Sequence, residues 1–65
     1  MKLSIKKLKY YMELNEVTPQ DIAEALEITR MSIYHYLHGR RNPTPLVIHQ
    51  LAEFLDTSTE ELYYE

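Results

Sequence analysis

Residues 17–38 read VTPQDIAEALEITRMSIYHYLH, and the same helix start occurs in this stretch twice, eleven residues apart. In the first, Thr18 is placed to cap, Pro19 suits the first helical position where its missing N–H costs nothing, and Asp21 lies where a carboxylate favours the helix dipole. Val17 and Ile22 flank that start at the spacing of a hydrophobic staple, and Ile28, Thr29 and Ile33 repeat the staple and cap. The pattern predicts a helix of about eight residues burying Ile22, Ala23 and Leu26, then a sharp turn at Glu27 and Ile28. A second helix runs to about His38 and buries Ile33, Leu37 and much of Tyr36. Gly39, the only glycine, falls where a left-handed C-terminal residue is wanted.

Upstream, Ile5, Leu8 and Met12 mark one face of a helix over residues 4–14, with Tyr11 beside it. Asn15 is placed to end this helix because Asn tolerates the left-handed conformation. Downstream, RRNPTP (residues 40–45) reads as a loop from its proline and asparagine content, and Thr44 with Pro45 restarts a helix. Ile48, Leu51, Ala52 and Leu55 form its inward face, Asp56 ends it, and Thr57 or Ser58 caps a last short helix anchored by Leu62. Neither β-type alternation nor an Asn-Gly or Asp-Gly hairpin turn occurs. The expected fold class is all-α: five short helices in a single domain over residues 1–65.

The composition agrees with one small domain. A chain of 65 residues buries only about 60% of its unfolded surface, which excludes a two-domain enzyme and leaves stability marginal. With no cysteine, a disulfide framework and a cysteine-based zinc site are both excluded, and a reducing compartment is expected. The N-terminal MKLSIKKLKYYMEL has lysines but no apolar run of signal-peptide type, and nothing is long enough to span a bilayer. A cytoplasmic location is expected.

A formal charge of −3 argues at first against nucleic acid, whose duplex carries about one negative charge per 1.7 Å. Resolved along the chain, the charge is segregated. Residues 1–12 carry +4, residues 13–28 carry −5, residues 29–50 carry +3 with no carboxylate, and residues 51–65 carry −5. Arg30, Arg40 and Arg41 thus lie in an acid-free segment that begins at Thr29.

Two short helices joined by a tight turn form a helix-turn-helix, whose second helix has the dimensions to enter a major groove. The run T-x-x-D-I-A-x-x-L-x-I-T-x-x-x-I from Thr18 to Ile33, Gly39, Asn42 to Pro45, L-A-x-x-L at Leu51–Leu55 and S-x-x-E-L at Ser58–Leu62 carry a resemblance. From about Ile5 to Leu62 the chain resembles the Cro/CI-type, lambda-repressor-like DNA-binding domains of the XRE family. The resemblance implies a five-helix transcriptional regulator, usually a homodimer on a two-fold operator of double-stranded DNA. It places base reading on Arg30, Met31, Ser32, Tyr34 and His35: arginine can pair bidentately with guanine, methionine can touch a thymine methyl, and histidine can donate to guanine N7. It places phosphate contacts on Gln20, Thr29, Arg40, Arg41 and Asn42.

Three positions depart from the family pattern. Pro19 stands where such domains often have a backbone-contacting glutamine, so that contact is lost or moves to Gln20. Glu27 stands where a glycine commonly makes the turn, and a left-handed Glu costs roughly 1 kcal/mol. Leu37 replaces a frequent glutamate.

The N-terminal lysines read as a solvated helix face. Phe54, Tyr63 and Tyr64 suit either core filling or a dimer contact. His35, His38 and His49 lack a fourth ligand for zinc, and no cofactor is expected. No nucleophilic triad, phosphate loop or paired buried carboxylate can be assembled, so the chain reads as no enzyme. Besides the regulator, two alternatives stand: a protein-interaction module on the same fold, such as an anti-repressor or adaptor of a phage or mobile element, and an antitoxin.

Overall fold

Serine and threonine hydroxyls set where the helices begin. In the computed structural model, which describes residues 2–63, five helices follow in order: α1 (Ile5–Leu14), α2 (Pro19–Leu26), α3 (Arg30–Leu37), α4 (Pro45–Phe54) and α5 (Thr59–Leu62). The Ser4, Thr18, Thr29 and Thr44 hydroxyls accept the backbone N–H groups of Lys7, Asp21, Ser32 and Val47 at 3.1–3.3 Å. At α2 the bond is reciprocated, since Asp21 Oδ2 accepts the Thr18 N–H at 2.8 Å and closes a capping box. Ser58 occupies the cap position of α5, but its side chain makes no capping bond.

The helix ends share a device that the sequence pattern revealed only in part. After each of α1, α2, α3 and α4 a left-handed residue follows: Glu16 (φ 55°), Glu27 (φ 57°), Gly39 (φ 71°) and Asp56 (φ 57°). Each makes the two backbone bonds of a Schellman motif. Val17, Ile28, Arg40 and Thr57 donate N–H to the carbonyls of Met12, Ala23, His35 and Ala52, while Glu16, Glu27, Gly39 and Asp56 donate to those of Glu13, Glu24, Tyr36 and Glu53. Asn15 therefore does not take the left-handed role expected of it. It sits at φ −93°, ψ 1°, and Glu16 takes the strained position one residue later. Helices α3 and α4 each stop about one residue earlier than their spacing implied, at Leu37 and Phe54.

Val17 and Ile28 do two jobs as a result. Each closes the Schellman turn of the preceding helix and also precedes the cap of the next, where it packs on the core with its staple partner Ile22 or Ile33. The turns are short because a single apolar residue both stops one helix and aims the next.

The core is built from Leu8, Ile22, Ile33, Ile48, Leu51, Leu55 and Leu62, all fully buried, with Leu3, Met12, Ala23, Tyr36 and Ala52 around them. Helix α2 packs on α3 and α4, α1 on α3 and α5, and α4 on α5. Leu26 and Leu37, expected inside, are half-buried at its edge. The two ends of the chain are joined by an antiparallel bridge between Leu3 and Tyr63, and the Ser4 N–H donates to the Leu62 carbonyl at 2.7 Å. Tyr63 packs on the core, Phe54 is partly exposed, and Tyr64 lies outside the described residues. Among the described residues no helix is long and apolar enough to cross a membrane.

Candidate nucleic-acid interface

Helix α3 buries one side and presents the other. Ile33 and Tyr36 face the core, while Arg30, Met31, Tyr34 and His38 are exposed and His35 is half-buried. At about 100° per residue, those five positions form one stripe along α3. Met31 at 63% and Tyr34 at 42% exposure are therefore not core residues, although their types would suit a core.

Arg30 opens the helix directly after the Thr29 cap. The Thr29 hydroxyl accepts the Ser32 N–H at 3.1 Å and lies 3.0 Å from the Ser32 hydroxyl. That pair occupies both hydroxyls in forming the helix start, so Ser32 stands apart from the stripe that carries Arg30 and Met31. His35 Nδ1 is buried with no hydrogen-bond partner.

From the sequence His38 is weighed only as a zinc ligand and not as part of the DNA-facing surface. Its ring stacks on that of Tyr34, with centroids 6.3 Å apart and planes at 22°. The signal available in the sequence was its position four residues beyond Tyr34, on the same stripe.

Past α3 the Schellman turn determines where the arginines go. The Arg40 N–H is held by the His35 carbonyl at 2.9 Å. The Arg41 guanidinium lies 5.7 Å from the centroid of the Tyr36 ring, a cation–π contact that holds it against the end of α3. Among the described residues no carboxylate forms an ion pair with Arg30, Arg40 or Arg41; His49 Nε2 lies 3.6 Å from Glu53 Oε1, away from them on α4.

Two expected phosphate contacts have other engagements. Gln20 Nε2 donates to Glu24 Oε2 at 2.9 Å, which directs its amide along α2 and beside a carboxylate. Asn42 Oδ1 accepts the N–H of Leu3, 39 residues away, at 2.9 Å, so its carbonyl serves as a tie between the loop after α3 and the start of the chain. No group of three or more His, Asp or Glu side chains among the described residues is placed to hold a metal ion.

A family profile described as helix-turn-helix matches residues 8–62. The chain belongs to the XRE-type helix-turn-helix family. The matched span contains all five helices except the first turn of α1, and the family's two-helix unit is α2 with α3. The chain is also similar to an HTH-type transcriptional regulator of Methanocaldococcus jannaschii, itself uncharacterised, with 30% identity over 57 residues that cover 88% of this chain and 86% of the relative.

Proposed function

We propose that this protein is a sequence-specific DNA-binding transcriptional regulator of Cro-like or repressor-like type. It inserts α3 into the major groove and binds a two-fold operator as a dimer. The observation that carries this reading is the exposed stripe of α3, where Arg30, Met31, Tyr34, His35 and His38 stand together in a segment without carboxylates. Bidentate donors and apolar contacts of these kinds read base edges, and Arg40 and Arg41 beyond the helix, without a carboxylate partner among the described residues, suit phosphates. The similarity to the archaeal HTH-type transcriptional regulator supports the same assignment.

The acidic blocks on either side of the Thr29–Gln50 segment keep non-specific attraction low. One copy presents few cations, so affinity rises steeply when two half-sites about 34 Å apart are engaged together. Selection from a random duplex library tests the reading, with a two-fold site at that spacing as the expected product. Absence of any binding to random duplex at low salt, even at about 10⁻⁴ M protein, would overturn it in favour of a protein-interaction module. Tyr10 and Leu14, exposed on α1, are the surface such a module would use.

A further inference from the structure

We propose that Lys2 and Lys6 complete a composite phosphate cleft with Arg40 and Arg41, and that this cleft grips one backbone phosphate of the duplex at the C-terminal end of α3. The proposal rests on the DNA-binding reading and deepens it, by assigning a contact to the N-terminal lysines that their sequence context marks only as a solvated face. A cleft of about 600 Å³ opens between the start of the chain and the loop after α3. Lys2 and Lys6 from the start of the chain line it together with Arg40 and Arg41 from the loop after α3, Ile5 and Tyr36 are also in its wall, and no carboxylate lines it.

The two segments are fastened together. The Leu3 N–H donates to Asn42 Oδ1 at 2.9 Å, next to Lys2 on one side and Arg41 on the other. Gly39 permits the close approach, because a Cβ at that position would stand 3.2 Å from Ile5 Cδ1. Asn42 is thus a positioning residue for the cleft: its carbonyl fixes the distance between the two cationic segments.

Electrostatics point to an anion as the occupant. The first turn of α1 holds Lys6 and Lys7 and no acidic residue, although a helix N-terminus favours negative charge. Four cations converge there without an ion pair among the described residues. A phosphate in the cleft meets both the helix end and the cations. The duplex is the source of that phosphate because the cleft continues α3 directly: Tyr36, Gly39 and Arg40 follow Tyr34 and His35 along the chain, about 12 Å of helix from Arg30.

The test compares full-length wild type, the Lys2→Ala/Lys6→Ala double variant and Lys9→Ala, which removes an exposed charge outside the cleft. Each is titrated with the selected duplex over a range of salt. The double variant is expected to bind several-fold more weakly, to keep the wild-type base preference, and to lower the salt slope by about 1, whereas Lys9→Ala keeps the slope. A duplex with a neutral methylphosphonate at the flanking phosphate should weaken wild type more than the double variant, which keeps only Arg40 and Arg41 on that phosphate. An unchanged slope in the double variant, or equal losses from the methylphosphonate in both proteins, overturns the cleft while leaving the DNA-binding reading intact. Binding of inorganic phosphate in the cleft, seen by amide chemical shifts, together with an unchanged slope on DNA, overturns the duplex as the source. If wild type binds no duplex, both readings fall together.

Discussion

The side chain of Asn15, at the end of α1, donates to the main-chain carbonyl of Leu55, at the end of α4, over 2.9 Å and 40 residues of sequence. The same amide nitrogen donates to the Tyr11 carbonyl at 2.8 Å. One side chain therefore supplies a donor to the orphan carbonyl of Leu55 at the C-terminus of α4 and adds a second donor to the Tyr11 carbonyl, which already accepts the Asn15 N–H at 3.0 Å, and it ties α1 to a helix that α1 does not otherwise flank closely.

Removing that tie exposes a part-buried carbonyl. Asn15→Ala should destabilise the fold by about 1–2 kcal/mol, read in urea denaturation as a lower midpoint at an unchanged m value. Asn15→Asp keeps the shape but removes both donors and adds negative charge at two helix C-termini, so it should cost at least as much.

The left-handed positions give paired predictions of opposite sign. Glu27 adopts φ 57°, ψ 42° and carries a carboxylate at the end of α2, so both its backbone and its charge are unfavourable there. Glu27→Gly should stabilise by about 1 kcal/mol, a rise in melting temperature of roughly 4–8 °C. At Gly39 the same conformation is already met by glycine, and an added Cβ stands 3.2 Å from Ile5. Gly39→Ala should therefore destabilise by about 1–2 kcal/mol. Melting curves of the two variants side by side check both signs; a fall for Glu27→Gly would mean that the glutamate side chain contributes more than its strain costs.

These cases show where the sequence was readable. Caps at Thr18, Thr29 and Thr44 and the staples at Val17–Ile22 and Ile28–Ile33 depend on neighbours within one turn, so their residue types declare them. Glu27 was legible as a strained turn through the resemblance, because the family commonly has a glycine at that position. Glu16 was not, because nothing in its type marks it as left-handed and Asn15 was the better local candidate; the tertiary bond to Leu55 draws Asn15 into another role. The tie made by Asn42 was not legible either, since a bond to Leu3 across 39 residues leaves no local signature. For the candidate site, the α3 stripe was legible from helical spacing, whereas the approach of Lys2 and Lys6 to Arg40 and Arg41 depends on how the chain ends meet.

The Tyr34–His38 stack should matter to binding through orientation. His38 holds the Tyr34 ring in a nearly parallel arrangement on the exposed stripe, so His38→Ala should cost a few-fold in affinity for the selected duplex, on the order of 0.5–1.5 kcal/mol. In a double-mutant cycle with Tyr34→Ala the two losses should be strongly non-additive. Additive losses would show that His38 acts on DNA independently of Tyr34.

Arg30 at the start of α3 and Arg41 beyond its end both lack a carboxylate ion pair among the described residues, yet their surroundings predict different phenotypes. Arg30 starts the exposed stripe and is aligned with residues suited to base edges, so Arg30→Ala should relax preference at one base pair and cost about 1–3 kcal/mol on the best duplex, with little change on random DNA. The Arg41 guanidinium is held over Tyr36 beyond the end of the helix, where a phosphate rather than a base is the matching partner. Arg41→Ala should weaken selected and random duplexes alike and lower the salt slope by about 1. Arg41→Lys separates charge from geometry, because lysine keeps the charge but loses the planar stacking surface and the bidentate fork. It should restore most of the salt slope and only part of the affinity. The decisive measurement is the ratio of selected to random affinity across the three variants: a fall for Arg30→Ala with no change for either Arg41 variant assigns the first arginine to bases and the second to the backbone, and the reverse pattern would exchange those roles.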